Sequence, residues 1–95
     1  MILRHNHFYA VDGKQDELLT FAESLREYIE SSSGNLGFEV WQSEDDVTHI
    51  IVLEKWSDKD SHQASLANYP KDLMQKQMIQ MMPLLAKPPT GEYFC

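Results

Sequence analysis

Cysteine is nearly absent from this chain. Cys95 is the only one, so no intrachain disulfide can form, and a cysteine-ligated zinc site is disfavoured. Basic residues are also scarce. Eight Lys and Arg stand against fifteen Asp and Glu, for a formal net charge of −7. Phosphate recognition needs clustered Lys and Arg, so nucleic acid is excluded as a partner. An anionic membrane surface is an equally poor match. No signal-peptide pattern precedes the first strand-like segment, and no apolar run is long enough to span a bilayer. The expectation is a cytoplasmic protein without a membrane segment. Repeats, low-complexity stretches and interdomain linkers are missing as well, so residues 1–95 are expected to form a single domain, long enough to fold without disulfides or metal.

One more absence is informative. Between Leu36 and Trp56, two strand-like runs flank a polar turn at residues 43–46, as in a β-hairpin, but neither run alternates cleanly. Leu36, Phe38 and Val40 fall on one face of the first strand, and Trp41 falls on the other. Val47, Ile51 and Leu53 share one face of the second strand, with Ile50, Val52 and Trp56 opposite. A hairpin that is apolar on both faces must be covered on both.

The rest of the chain supplies half of that cover. Residues 2–11 read as a strand ending at the Asp12-Gly13 turn signal. From residue 15 to about 31, Leu18, Phe21, Ala22, Leu25, Tyr28 and Ile29 form one helical stripe, with Gly34 suited to a left-handed cap after it. After the hairpin, Ser57 is the expected N-cap of a short helix, with Asp60 reaching back. Pro70 suits the start of a further helix carrying Met74, Met78, Met81 and Met82, which Pro83 bends or ends. Residues 90–94 close as an edge strand. The order β-α-β-β-α(α)-β predicts an α+β, ferredoxin-like split β-α-β arrangement: a four-stranded antiparallel sheet with helices on one face. The uncovered face then calls for a second sheet, most simply from a two-fold-related copy, giving a homodimer joined through the sheet.

Several segments in this order resemble the antibiotic biosynthesis monooxygenase family, within the dimeric α+β barrel superfamily. They are Gly13-Lys14, Gly34-Asn35-Leu36-Gly37-Phe38-Glu39-Val40, Leu53-Glu54-Lys55-Trp56-Ser57-Asp58 and Pro83-Leu84-Leu85-Ala86-Lys87-Pro88-Pro89. The resemblance implies a ferredoxin-like protomer that dimerises through its sheet. It also implies a cofactor-independent monooxygenase acting on a small aromatic or quinol-like substrate between sheet and helices. Other members handle signalling molecules or have no known activity, so a non-catalytic small-ligand-binding or stress-response dimer is the alternative. Isomerisation or decarboxylation on the same scaffold is a third class. The haem-degrading members carry an asparagine, a tryptophan and a histidine in successive elements. Asn6 fits the first position, but Ser65 and roughly Gln75 fall at the other two, which disfavours haem degradation. Many other members carry a histidine near the position of Ser65; this chain has His62, one helical turn earlier.

The candidate site follows from the residues and this resemblance. Asn6 shares a strand face with Arg4 and Phe8, and its amide can hydrogen-bond a phenol or quinone oxygen. Glu54 is either a base with a raised pKa or a structural ion-pair partner of Arg4 or Lys55. A histidine ordinarily titrates near neutrality, so His62 is expected either to act as a base or to be simply a half-exposed polar helix residue. Trp56 either stacks on a flat ligand or plugs the strand-to-helix corner. Tyr69, Phe8, Met74 and Met78 are candidate ligand contacts, the methionines equally good as gap fillers. His5, His7 and His49 lack a clear supporting ligand, so no metal site is expected; no cofactor is expected either.

Overall fold

A computed structural model describes all residues, 1–95. The chain runs β1 (Ile2–Tyr9), α1 (Gln15–Ser24), α2 (Arg26–Ser31), β2 (Asn35–Gln42), β3 (His49–Trp56), α3 (Lys59–Ala67), α4 (Lys71–Met81), a 3-10 turn at Met82–Leu84, and β4 (Thr90–Phe94). The strands form one four-stranded sheet in the order β2-β3-β1-β4, every pairing antiparallel. This is the expected α+β ferredoxin-like arrangement, with β1 and β3 in the centre. No helix is long and apolar enough to cross a membrane.

The period-two alternation of strands sorts the sheet into two faces. Phe8, Ala10, Phe38, Val40, Ile50 and Val52 face the helices and pack against Leu18, Phe21, Ala22 and Leu25 of the first helical segment. Ile50, Val52 and Trp56 retain at most 1% exposure. The opposite face is uncovered in the protomer: Ile51 and Leu53 are only half-buried, and Trp41 and Phe94 are 57% and 44% exposed.

Five local features depart from the sequence expectation. The helical stripe over residues 15–31 is two helices, not one. The Ser24 hydroxyl donates to the Phe21 carbonyl, and the Leu25 amide turns instead to Ala22 O at 3.2 Å, so side-chain competition breaks the regular ladder there. Gly34 does take a positive φ of 85°, but it serves a turn rather than a helix cap: the Asn35 amide closes onto Ser32 O at 3.1 Å. Leu36 does not share the face of Phe38, because a register irregularity between Asn35 and Gly37 turns it outward to 57% exposure. Val47 lies in the turn before β3, not on a strand face. The N-cap of α3 is Asp58 rather than Ser57; its carboxylate accepts from the Ser61 amide at 2.7 Å. A carboxylate reaches that amide as a charge-assisted acceptor at the positive end of the helix dipole, which favours it over a hydroxyl.

Candidate active site

Register places the polar candidates in two adjacent rows across the helix-facing side of the sheet. Phe38 opposes Glu54, Glu54 opposes Arg4, and Arg4 opposes Tyr93; in the next row Val40, Val52, Asn6 and Gly91 stand in line. Helices α2 and α3 close over these rows and leave a cavity of about 190 Å³. Its apolar wall is Phe8, Leu25, Ile29, Val52 and Leu66, with Tyr69 at one side. Arg4, Asn6, Glu54, His62 and Ser65 supply the polar groups. A larger hollow of about 410 Å³ lies between α1 and the 3-10 turn, but its lining of Asp16, Glu17, Thr20, Ser24 and Gln80 with Phe21 and Leu84 holds no buried titratable group. The smaller cavity is therefore the site with convergent chemistry.

Glu54 is 6% exposed. Its Oε2 accepts from Asn6 Nδ2 at 2.7 Å and its Oε1 from the Trp56 indole at 3.1 Å. Burial raises its pKa above the ordinary carboxylate value, while those two hydrogen bonds and the charge of Arg4 pull the other way. Asn6 spends both amide protons, the second on Val52 O at 3.2 Å, and its Oδ1 accepts from Arg4 Nε at 3.3 Å. The side chain therefore holds the carboxylate, and an oxygen lone pair is what it has left for a ligand.

His62 is 5% exposed. Its Nδ1 lies 2.6 Å from the Tyr93 hydroxyl, and its ring meets those of Trp56 and Tyr93 edge-on at centroid distances of 5.4 Å. Burial, aided by the Arg4 cation, lowers its pKa to about 4, so the imidazole is neutral across the physiological range. The site thus combines a carboxylate that resists ionisation with an imidazole that resists protonation.

The structure gathers Asn6, Glu54, His62, Phe8 and Tyr69 at one cavity. Trp56 is the exception among the aromatic candidates. It has no exposed surface and does not line the cavity, so stacking on a ligand is replaced by a supporting role, its indole N–H donating to Glu54. Met74 and Met78 also lie outside the lining, because α4 buries none of its residues and Met78 is 50% exposed. Glu54 makes no ion pair with Arg4 or Lys55. Lys55 points to the other face and meets Glu39 at 3.3 Å. Tyr93 escaped the sequence reading, since only the β1–β4 register brings it beside Arg4 and His62. Ser65, which the sequence marks only as a family position, is 8% exposed and bonds Ser32 Oγ at 2.8 Å. On the opposite sheet face, His7 Nδ1 and His49 Nε2 are 3.0 Å apart, and the His5 ring lies tilted against that of His7 at a centroid distance of 4.5 Å. No group of three or more His, Cys, Asp and Glu side chains is arranged to hold a metal ion.

A ferredoxin-like α+β protein with a buried acid–imidazole site between sheet and helices is the class that these features define. The antibiotic biosynthesis monooxygenase family model matches residues 1–70, and the chain belongs to that family. Solved structures share its fold. A protein from Nitrosomonas europaea assigned to the antibiotic biosynthesis monooxygenases superposes with a TM-score of 0.84 at 17% identity, covering 100% of this chain and 97% of that one. SnoaB, a cofactor-independent oxygenase from Streptomyces nogalater, gives a TM-score of 0.80 at 13% identity, covering 99% and 90% of the two chains. Protein SO0527 from Shewanella oneidensis gives 0.80 at 24% identity, covering 98% and 87%. At these identities the likeness is one of fold. A comparison with curated proteins finds no match.

Proposed function

We propose that this protein is a cofactor-independent monooxygenase that oxidises a small aromatic or quinol-like molecule in the cavity above Asn6, Glu54 and His62. The observation that carries the reading is Glu54: a buried carboxylate with a raised pKa, held by Asn6 and Trp56 at the floor of a mostly apolar cavity. Family membership and the description of SnoaB as a cofactor-independent oxygenase support it.

The chemistry requires only a base, an anion stabiliser and exclusion of water. Glu54 removes a proton from a phenol or an activated ring CH2. The resulting anion places its charge on a ring carbon that still bears a hydrogen; that carbon reduces O2 and combines with it as a peroxide, which takes back the proton held by Glu54. Loss of water then leaves a carbonyl at that carbon. One oxygen atom stays in the product, the other leaves as water, and the substrate supplies all four electrons. The apolar wall favours a flat, uncharged substrate over a polar one, and the Arg4 cation and His62 stabilise the anion.

The uncovered sheet face, with Ile51, Leu53, Trp41 and Phe94, supports a second proposal, a homodimer formed through that face.

Oxygen uptake with a panel of quinols and anthrone-like phenols tests the enzymatic reading. The expectation is substrate-dependent O2 consumption that Glu54→Gln abolishes. Absence of turnover across the panel, with ligand binding that survives Asn6→Ala and His62→Ala, would instead establish a non-catalytic ligand-binding protein.

A further inference from the structure

We propose that Tyr93 is a positioning residue that holds His62 as its Nε2–H tautomer, so that the ring presents a neutral N–H donor to the cavity. Tyr93 lies on β4, beyond the residues 1–70 that the family model matches. The antiparallel register sets it opposite Arg4, and its hydroxyl reaches across to α3.

The hydroxyl and His62 Nδ1 are 2.6 Å apart, and one of them must donate. Tyr93 Oη has no other hydrogen-bond partner, so its single proton is best spent on the imidazole nitrogen, a strong acceptor. Two cations lie near the Tyr93 ring: Arg4 Cζ at 4.7 Å from the centroid and Lys59 Nζ at 5.0 Å. Their charge stabilises the electron density that the oxygen gains when its O–H donates. Gly91 makes this stacking feasible, because a Cβ there would collide with the Arg4 guanidinium. Burial and the Arg4 cation disfavour a charged imidazolium, so His62 carries one ring proton. With Nδ1 accepting, that proton sits on Nε2.

Nε2 makes no hydrogen bond in the protein, yet it is not one of the fully enclosed polar atoms without partners, which are Gln15 Oε1 and Asn35 Nδ2. The ring lines the cavity, and Nε2 is the polar edge left to do so. This divides the labour: Glu54 takes the proton and His62 donates a hydrogen bond to the oxygen on which negative charge develops. The role toward a ligand oxygen rests on the oxygenase reading; the tautomer does not.

Histidine side-chain 1H–15N correlation spectra of the uniformly labelled protein at pH 7 test the proposal, with His62 assigned by the signals lost in His62→Gln. The expected wild-type pattern is a protonated Nε2 and an unprotonated, hydrogen-bonded Nδ1. Tyr93→Phe keeps the aromatic ring and its cation contacts but removes the O–H, and should move both His62 nitrogens toward tautomer-averaged shifts. A wild-type His62 protonated on Nδ1, or a His62 spectrum unchanged by Tyr93→Phe, would overturn it. The wild-type spectrum is decisive even if the variant misfolds. Failure of the oxygenase reading shows separately, as absent oxygen uptake with the tautomer intact.

Discussion

Asn6 Nδ2 donates to Glu54 Oε2 at 2.7 Å across 48 residues of chain, and this bond joins the two central strands at the floor of the cavity. It lowers the pKa of a carboxylate that burial raises. Asn6 therefore tunes the base. In Asn6→Ala the offsetting hydrogen bond is gone, and the pKa of Glu54 should rise further. The limb of the pH–rate profile on which activity climbs with pH should then move to higher pH. Carboxyl 13C titration of Glu54 gives the same shift without substrate; a midpoint unchanged from wild type would refute the coupling.

His62 makes stability depend on pH in a defined sense. Its pKa is 6.5 in the reference state and about 4 when folded, so below 6.5 the unfolded chain binds a proton that the native state refuses. Stability should fall as pH drops from 6.5 toward 4 and then level off with respect to this group. At about 1.36 kcal/mol per pKa unit, the full contribution is about 3 kcal/mol. Urea melts at pH 7 and pH 4.5 should show a drop that His62→Gln reduces by about 2 kcal/mol; equal drops in both proteins would rule this out.

Gly34 is held at a φ of 85° with the side chains of Ser61 and Ser57 against its missing Cβ. Gly34→Ala should cost about 1–2 kcal/mol from the backbone alone, plus the displacement of Ser61. A urea midpoint equal to wild type would show that the turn relaxes freely.

Leu53 sits on the uncovered sheet face, half-buried in the protomer. Leu53→Glu should convert the proposed dimer to a monomer with unchanged circular dichroism, because burying a carboxylate between two sheets is costly. Light scattering at micromolar concentration checks both proteins. A monomeric wild type would refute the dimer.

Several parts of this architecture were legible in the residues. The 3.6-residue stripe of Leu18, Phe21, Ala22, Leu25 and Ile29 and the doubly apolar hairpin point to helices on one side of a sheet, and the helices lie there. Glu54 was readable as a carboxylate among apolar neighbours and Asn6 as an amide beside Arg4 and Phe8, whereas His62 read as a half-exposed helix residue and is in fact buried. The break at Leu25 was not, because a stripe of apolar residues carries no record of the Ser24 hydroxyl competing for Phe21 O. The exclusion of Trp56 from the cavity was equally hidden, since its size and position suit both a ligand platform and a buried plug.

The sequence by itself determined the order of strands and helical segments, the doubly apolar character of the hairpin and the shortage of basic charge, because periodicity and composition are local properties. Tertiary structure alone decided that Asn6 meets Glu54 rather than a ligand, that Trp56 supports the carboxylate from behind, and that Tyr93 reaches His62. Those relations depend on strand register and on the angle at which α3 closes over the sheet. Register and closure are set by packing among residues far apart in the chain, and it is this burial that shifts the protonation of Glu54 and His62 in opposite directions.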